Sequence, residues 1–328
     1  MERDTKELLK VETIKKYFHP SGGRHGGEKW LKAVDGVNFE VRKNTVFALV
    51  GESGCGKSTV ARMILKLLPL TGGRIFFRGE DIAGLQGNDL KRFRRSVQII
   101  FQDPFASLNP RMRIVSTLSE PFIIHKTVPR REIRDRVAQL LEKVGLSGDA
   151  MAKYPHEFSG GQRQRICIAR AIALSPELII ADEPLSALDV SIQAQIVNLL
   201  QGIKQDTGIS LVFISHDLKV VHYLSDEVAV MYLGKIVERA KTEDLFRDPK
   251  HPYTDLLLSS APKIRYRGKE AGQPSKAVST ETLDAPGPIS VPSGCSFHPR
   301  CPKRMDVCDK QSPELKKSGD RLVACHLY

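Results

Sequence analysis

The segment Gly51-Glu52-Ser53-Gly54-Cys55-Gly56-Lys57-Ser58 constrains this 328-residue chain more than any other stretch. It spells the phosphate-binding pattern G-x-x-x-x-G-K-[ST] without a mismatch. Its context agrees: the strand-like run Val46-Phe47-Ala48-Leu49-Val50 precedes it, and a helical stretch over residues 60–68 follows. Glycines let the backbone curl until its N–H groups point at an anion, and the helix N-terminus adds roughly half a positive charge. Lys57 can reach the β- and γ-phosphates of a nucleotide, and the Ser58 hydroxyl can ligate Mg²⁺. Residues Gly51, Glu52, Ser53, Gly54, Cys55, Gly56, Lys57, Ser58 and Thr59 are therefore assigned to the nucleotide. The Cys55 thiol occupies a variable position of the pattern and is read as incidental.

A Mg²⁺-nucleotide site also needs a carboxylate at the end of a neighbouring strand. Leu178-Ile179-Ile180-Ala181-Asp182-Glu183 supplies one. Asp182 is expected to hold Mg²⁺ through water, and Glu183 to polarise the attacking water. The short apolar runs at 178–181 and 211–214 suit buried parallel strands, and residues 227–238 read as β structure with a turn at Leu233-Gly234-Lys235. Residues 130–174 show helical periodicity, with Val137, Leu140, Leu141 and Val144 on one face. Within them, Phe158-Ser159-Gly160-Gly161-Gln162-Arg163 opens a helix just before the Asp-Glu strand and makes a second anion-binding nest. Two phosphate-binding elements in one chain are reconciled if each serves a different protomer. Two ATP molecules would then lie between two such domains, with Ser159, Gly160, Gly161 and Gln162 facing the nucleotide of the other copy.

With these elements in this order the chain resembles the ATP-binding-cassette family. Phe158 stands where that family usually has leucine. The resemblance implies an α/β phosphate-loop NTPase with a RecA-like core, an antiparallel β part, a helical subdomain at about 105–174 and a C-terminal extension. It divides the chain into an ATPase domain at 1–260 and an extension at 261–328. It implies that Gln102 senses Mg²⁺ and faces membrane subunits, and that Ser186-Ala187-Leu188-Asp189 crosses to the opposite protomer. His216 would contact the γ-phosphate and steady Glu183, making Glu183, His216 and Gln102 the catalytic set. Phe18, or its neighbour Tyr17, is similar to the aromatic that stacks on adenine, although Phe18 reads equally well as a core residue.

Further segments resemble the dipeptide/oligopeptide importer branch, specifically its F-type ATPase subunit. They include Lys32-Ala33-Val34-Asp35-Gly36-Val37, Ser107-Leu108-Asn109-Pro110-Arg111, Val190-Ser191-Ile192-Gln193 and His251-Pro252-Tyr253-Thr254. That implies an ATPase powering peptide import from the cytoplasmic face of the membrane. Its partners would be a D-type ATPase in a heterodimer (a homodimer for the chain in isolation), two membrane permeases and, indirectly, an extracytoplasmic substrate-binding protein. The same branch includes nickel and sugar importers.

Composition bounds the rest. The chain has no run of roughly 18–20 apolar residues that could span a bilayer. Met1-Glu2-Arg3-Asp4 begins no secretory signal, so a cytoplasmic chain is expected. Lys and Arg number 50 against 38 Asp and Glu, a formal charge of +12. Basic clusters at 91–95 and 130–134 read as solvated helix faces, and the +12 charge is the only support for a soluble cassette protein acting on nucleic acid. Such proteins commonly carry two cassettes or long coiled-coil inserts, and neither is seen, so no nucleic-acid partner is expected.

From Pro262 to Ser293 the composition is that of a linker. The last 34 residues then hold Cys295, Cys301, Cys308 and Cys325. In a reducing compartment, metal ligation is favoured over disulfides. Zinc ribbons use C-x₂₋₄-C pairs, which this tail lacks; its wider spacing suits an iron–sulfur cluster. The extension of peptide-importer ATPases is similar and in some members holds a [4Fe–4S] cluster. That cluster is the expectation here, with Zn²⁺ or unligated thiols as alternatives.

Overall fold

The computed structural model describes residues 7–19, 30–260 and 291–328. The glycine-rich patch at 21–27 and most of the linker segment lie outside the described residues. The chain opens with β1 (Glu7–Phe18) and β2 (Leu31–Arg42), paired antiparallel. β3 (Val46–Val50) leads through the phosphate loop into α1 (Lys57–Ile64). β4 (Gly72–Phe77) and β5 (Glu80–Asp81) complete an antiparallel sheet in the order β2-β1-β4-β5. α2 (Gly87–Ser96) enters β6 (Val97–Ile100). Helices α3 (Pro104–Ser107), α4 (Ile114–His125), α5 (Ile133–Lys143) and α6 (Gly160–Ile172) intervene before β7 (Leu178–Asp182). Next come α7 (Val190–Thr207), β8 (Ser210–Ser215), α8 (Leu218–Leu224), β9 (Glu227–Tyr232) and β10 (Lys235–Lys241). α9 (Thr242–Arg247), α10 (Pro252–Ser260), β11 (Lys316–Ser318) and β12 (Arg321–Val323) close the fold.

The second sheet has the order β11-β12-β10-β9-β3-β8-β7-β6, and its β9-β3-β8-β7-β6 portion is parallel. β3, β7 and β8 are buried along their whole length, which is why their sequences are unbroken apolar runs. Alternate side chains serve opposite faces. Val46, Ala48 and Val50 join the core under the helices, with Ile179, Ala181, Leu211 and Phe213. Phe47 and Leu49 join the core shared with the antiparallel sheet and α1, with Ile180, Val212 and Ile214. A one-residue slip would exchange these two sets, so the register is fixed from both sides. The parallel strands end together where the phosphate loop, Asp182 and Ser215 emerge.

Two local expectations shift. The helix read over 60–68 begins at Lys57 and stops at Ile64, because Lys66 turns to φ 54° and its Nζ donates to Ala83 O at 2.8 Å. The helical region 130–174 is broken between α5 and α6, where Gly145 takes φ 72° and two short 3₁₀ turns follow.

The tail strands were not legible in the sequence. β12 pairs antiparallel with β10, and Ala324 N–H donates to Val237 O at 2.8 Å. Phe297 is buried against Tyr232, Tyr253 and His251. Glu238, buried in β10, accepts from the N–H groups of Lys250 and His251 at 2.9 Å each. The buried His251 ring accepts from Tyr253 N–H at 3.0 Å and lies near the Ala324 backbone. Burial lowers His251 from its ordinary 6.5 to about 4. Between those values the unfolded chain binds a proton that the folded chain refuses. Stability therefore falls as pH drops through that window, by up to about 3 kcal/mol, and His251 adds no slope above it. Urea unfolding at pH 7.5 and pH 5 is expected to show a larger loss in the parent than in His251→Asn; equal losses would contradict this role.

Candidate nucleotide site

The phosphate loop is pressed against backbone on both sides. A Cβ on Gly51 (φ +153°) would lie 2.2 Å from Met231 O, and one on Gly56 (φ +108°) 2.2 Å from Ala33 O. Only glycine fits at either point. Gly234 N–H donates to Cys55 O at 2.9 Å, tying the loop to the β9–β10 turn. α1 starts from Gly56 with no side-chain cap, so its first N–H groups are available to an anion.

Lys57 is buried, and its Nζ donates to Gly51 O at 2.8 Å and Glu52 O at 3.0 Å. The Glu52 N–H donates to Tyr253 Oη at 3.0 Å. The Ser58 hydroxyl donates to Asp182 Oδ1 at 2.8 Å, joining the start of α1 to the end of β7. Asp182 is buried, and desolvation raises its carboxyl pKa, opposed by the Ser58 hydrogen bond. A hydroxyl and a costly buried carboxylate side by side are a donor set suited to Mg²⁺.

Glu183 follows directly, in a left-handed conformation (φ 45°) held by its N–H donating to Ile214 O at 3.0 Å. Such a conformation costs of order 1–3 kcal/mol in a non-glycine residue and turns the side chain to a specific place. There, three predicted residues meet it. Gln102 Nε2 donates to Glu183 Oε2 at 3.3 Å, His216 Nδ1 lies 3.3 Å from the same oxygen, and Lys57 Nζ is 3.8 Å from Oε1. Lys57, Ser58, Gln102, Asp182, Glu183 and His216 thus form one connected group.

Other predicted residues stand apart from it. Ser159 caps α6, its Oγ accepting from Gln162 N–H at 3.3 Å while Gln162 Oε1 accepts from Ser159 N–H at 3.0 Å. No hydrogen bond or ion pair among the described residues joins this pair to Lys57, Asp182 or Glu183. Ser186 Oγ donates to Glu183 O at 3.0 Å. Phe18 ends β1 with Lys16 Nζ 5.2 Å from its ring centre, whereas Tyr17 is tied to Asp35 through its hydroxyl at 2.5 Å. Phe18 is therefore the freer of the two rings. Arg300, and Tyr253 within its family-like segment at 251–254, both reach Glu52, a role for which residues so distant in sequence carry no local signal.

Comparison with known proteins decides the lineage. Residues 34–186 match the ABC transporter family, and residues 237–308 match the oligopeptide/dipeptide transporter C-terminal region. The oligopeptide transport ATP-binding protein AppF of Bacillus subtilis is 48% identical over 98% of this chain and 97% of its own length. The chain belongs to the ABC transporter family. The dipeptide transport ATP-binding protein DppF of Escherichia coli is 42% identical, over 97% of this chain and 93% of its own. The fold is similar to the dimeric ATP-binding cassette MJ0796 bound to ADP and Pi, with a TM-score of 0.63 and 26% identity over 72% of this chain and 99% of that one. It is also similar to CbiO1 of Clostridium perfringens, with a TM-score of 0.63 and 28% identity over 74% of this chain and 91% of that one.

The expectation of a metal centre in the tail finds no support in the structure. Burial raises the thiol pKa values of Cys295, Cys301 and Cys325, and neighbouring thiols add to the shift. Yet among the described residues no three His, Cys, Asp or Glu side chains stand close enough together to hold a metal ion. The spacing supports neither [4Fe–4S] nor Zn²⁺. The tail is fastened instead by Phe297, by β12 and by Arg300 on Glu52.

Asp182 supplies a test with opposite signs. Its raised carboxyl pKa means that ionisation costs stability once pH exceeds the ordinary carboxylate range, and that this cost is absent below it. Asp182→Asn is expected to be at least as stable to urea as the parent at pH 7 while Mg²⁺-dependent ATP turnover falls about a hundred-fold or more. A variant less stable than the parent, or one that retains turnover, would contradict the assignment.

Proposed function

We propose that this chain binds MgATP on residues 51–59 and hydrolyses it with Glu183 as the base, powering import of di- or oligopeptides through a membrane permease. The convergence of Lys57, Gln102 and His216 on Glu183 carries the reading. Peptide as cargo is supported by the relatives' names and by the C-terminal region match. Mg²⁺ held by Ser58 and Asp182 would neutralise charge on the phosphates. The chain's own part is electrostatic and positional. Lys57 exchanges loop carbonyls for phosphate oxygens, His216 orients the Glu183 carboxylate, and Glu183 accepts a proton from the attacking water.

The site is completed by a second cassette, whose counterparts of Ser159, Gly160, Gly161 and Gln162 would face this nucleotide. We assign that place to a D-type partner, with a second copy of this chain as the substitute in isolation. Two membrane permeases and, indirectly, an extracytoplasmic substrate-binding protein complete the assembly, with this chain on the cytoplasmic face of the membrane. Among the described residues no helix is long and apolar enough to cross a membrane. A cleft of about 650 Å³ beside the site is lined by Phe101, Gln102, Glu120, Ile124 and Arg170. Phe101, Phe105, Ile123 and Ile124 expose apolar surface nearby, which suits a permease segment seated against Gln102. In this reading 1–260 is the ATPase domain, with its helical subdomain at about 105–174, and 261–328 the extension.

A [4Fe–4S] cluster on Cys295, Cys301, Cys308 and Cys325 rests on the cysteine content of the tail and the family resemblance alone. About four irons and four sulfides per chain in anaerobically purified protein would establish it, and their absence would remove it. For the reaction itself, Glu183→Gln is expected to keep MgATP affinity while turnover falls at least about a hundred-fold. It should also halt peptide uptake in a reconstituted assembly. Turnover near that of the parent would remove Glu183 as the base.

A further inference from the structure

The tail reaches back to the phosphate loop and holds one residue of it from several directions. Arg300 donates to both carboxylate oxygens of Glu52, at 3.0 and 3.1 Å, across 248 residues of sequence. Tyr253 Oη accepts from the Glu52 N–H, and Lys57 donates to the Glu52 carbonyl. Arg300 is itself held in place, its guanidinium lying 6.0 Å from the Phe297 ring centre. The Tyr232, Tyr253 and Phe297 rings pack on one another at centroid distances of 4.5 to 5.4 Å, and all three are buried. Planar, bidentate guanidinium–carboxylate pairs fix geometry as well as charge.

A carboxylate inside a phosphate-binding loop is an electrostatic liability, because it repels the anion the loop must hold. Arg300 neutralises it and turns it outward toward the tail. We propose that Arg300 and Tyr253 are positioning residues for the phosphate loop: the C-terminal extension clamps Glu52, sets the loop's curvature and cancels its negative charge before nucleotide arrives. Neither residue touches the phosphates. The clamp acts on nucleotide affinity, which ground state and transition state share, so its loss changes KM and leaves kcat. The inference rests on reading residues 51–59 as the nucleotide site.

The test uses the full chain, with MgATP affinity measured by calorimetry at low and at 0.15 M salt, alongside steady-state turnover. Arg300→Ala is expected to weaken MgATP binding about ten-fold and raise KM equally, with kcat within about two-fold. The loss should be larger at low salt, where the freed Glu52 charge is least screened. Arg300→Lys should fall between, and Tyr253→Phe should cost about three-fold. Adding Glu52→Gln to Arg300→Ala should recover most of the affinity, which no merely structural role for Arg300 would produce. Parent-like binding by Arg300→Ala overturns the clamp. So does a loss that Glu52→Gln leaves unrelieved. If the parent chain fails to bind MgATP, the nucleotide-site reading fails; if it binds and the variants match it, the clamp alone fails.

Discussion

The site depends on one steric constraint, the passage of the phosphate loop between two backbone walls. The Met231 carbonyl stands on one side and the Ala33 carbonyl on the other, each too close for any Cβ. The loop can occupy that gap only because β9 lies parallel beside β3 and delivers Met231 to the strand end. Once the loop is seated, α1 must begin at Lys57, and Lys57 and Ser58 are placed without further choice. The bond from Ser58 to Asp182 then links this unit to β7 on the far side of β8. The same strand order that builds the core brings together groups more than 120 residues apart, as the separation of Ser58 and Asp182 shows.

Around that framework the charges are arranged in opposition. Lys57 is buried with loop carbonyls and stands near Glu183, a cation and a carboxylate placed as the proposed hydrolysis requires. Glu183 takes contacts from β3's helix, from the segment after β6 and from the turn after β8 through Lys57, Gln102 and His216. A movement of the helical part that carried Gln102 would be felt at Glu183 directly. In the proposed reading, that geometry would couple the cleft beside Gln102 to Glu183 through a single side chain.

Much of this was legible in the sequence, and for identifiable reasons. The β3, β7 and β8 strands announce themselves as short apolar runs because both faces are buried. Lys57, Ser58, Asp182 and Glu183 are tied to strand ends, so local pattern locates them. Gln102 and His216 came through family resemblance, and their place on Glu183 follows only from the packed fold. The tail was read least well. β11 and β12 are three-residue strands with charged or half-exposed faces, which carry no periodicity to detect. Arg300 and Tyr253 act on Glu52 through tertiary contact alone, and the tail's fastening by Phe297 looks in sequence like any isolated aromatic.

The most direct measurement of the central claim is a crystal structure of the Glu183→Gln chain with MgATP. The account predicts Lys57 Nζ on the β- and γ-phosphates instead of the Gly51 and Glu52 carbonyls, Mg²⁺ beside Ser58 and Asp182, and a second cassette closing its Ser159 helix over the γ-phosphate. Nucleotide bound away from residues 51–59, or bound there with Lys57 still on its loop carbonyls, would contradict it.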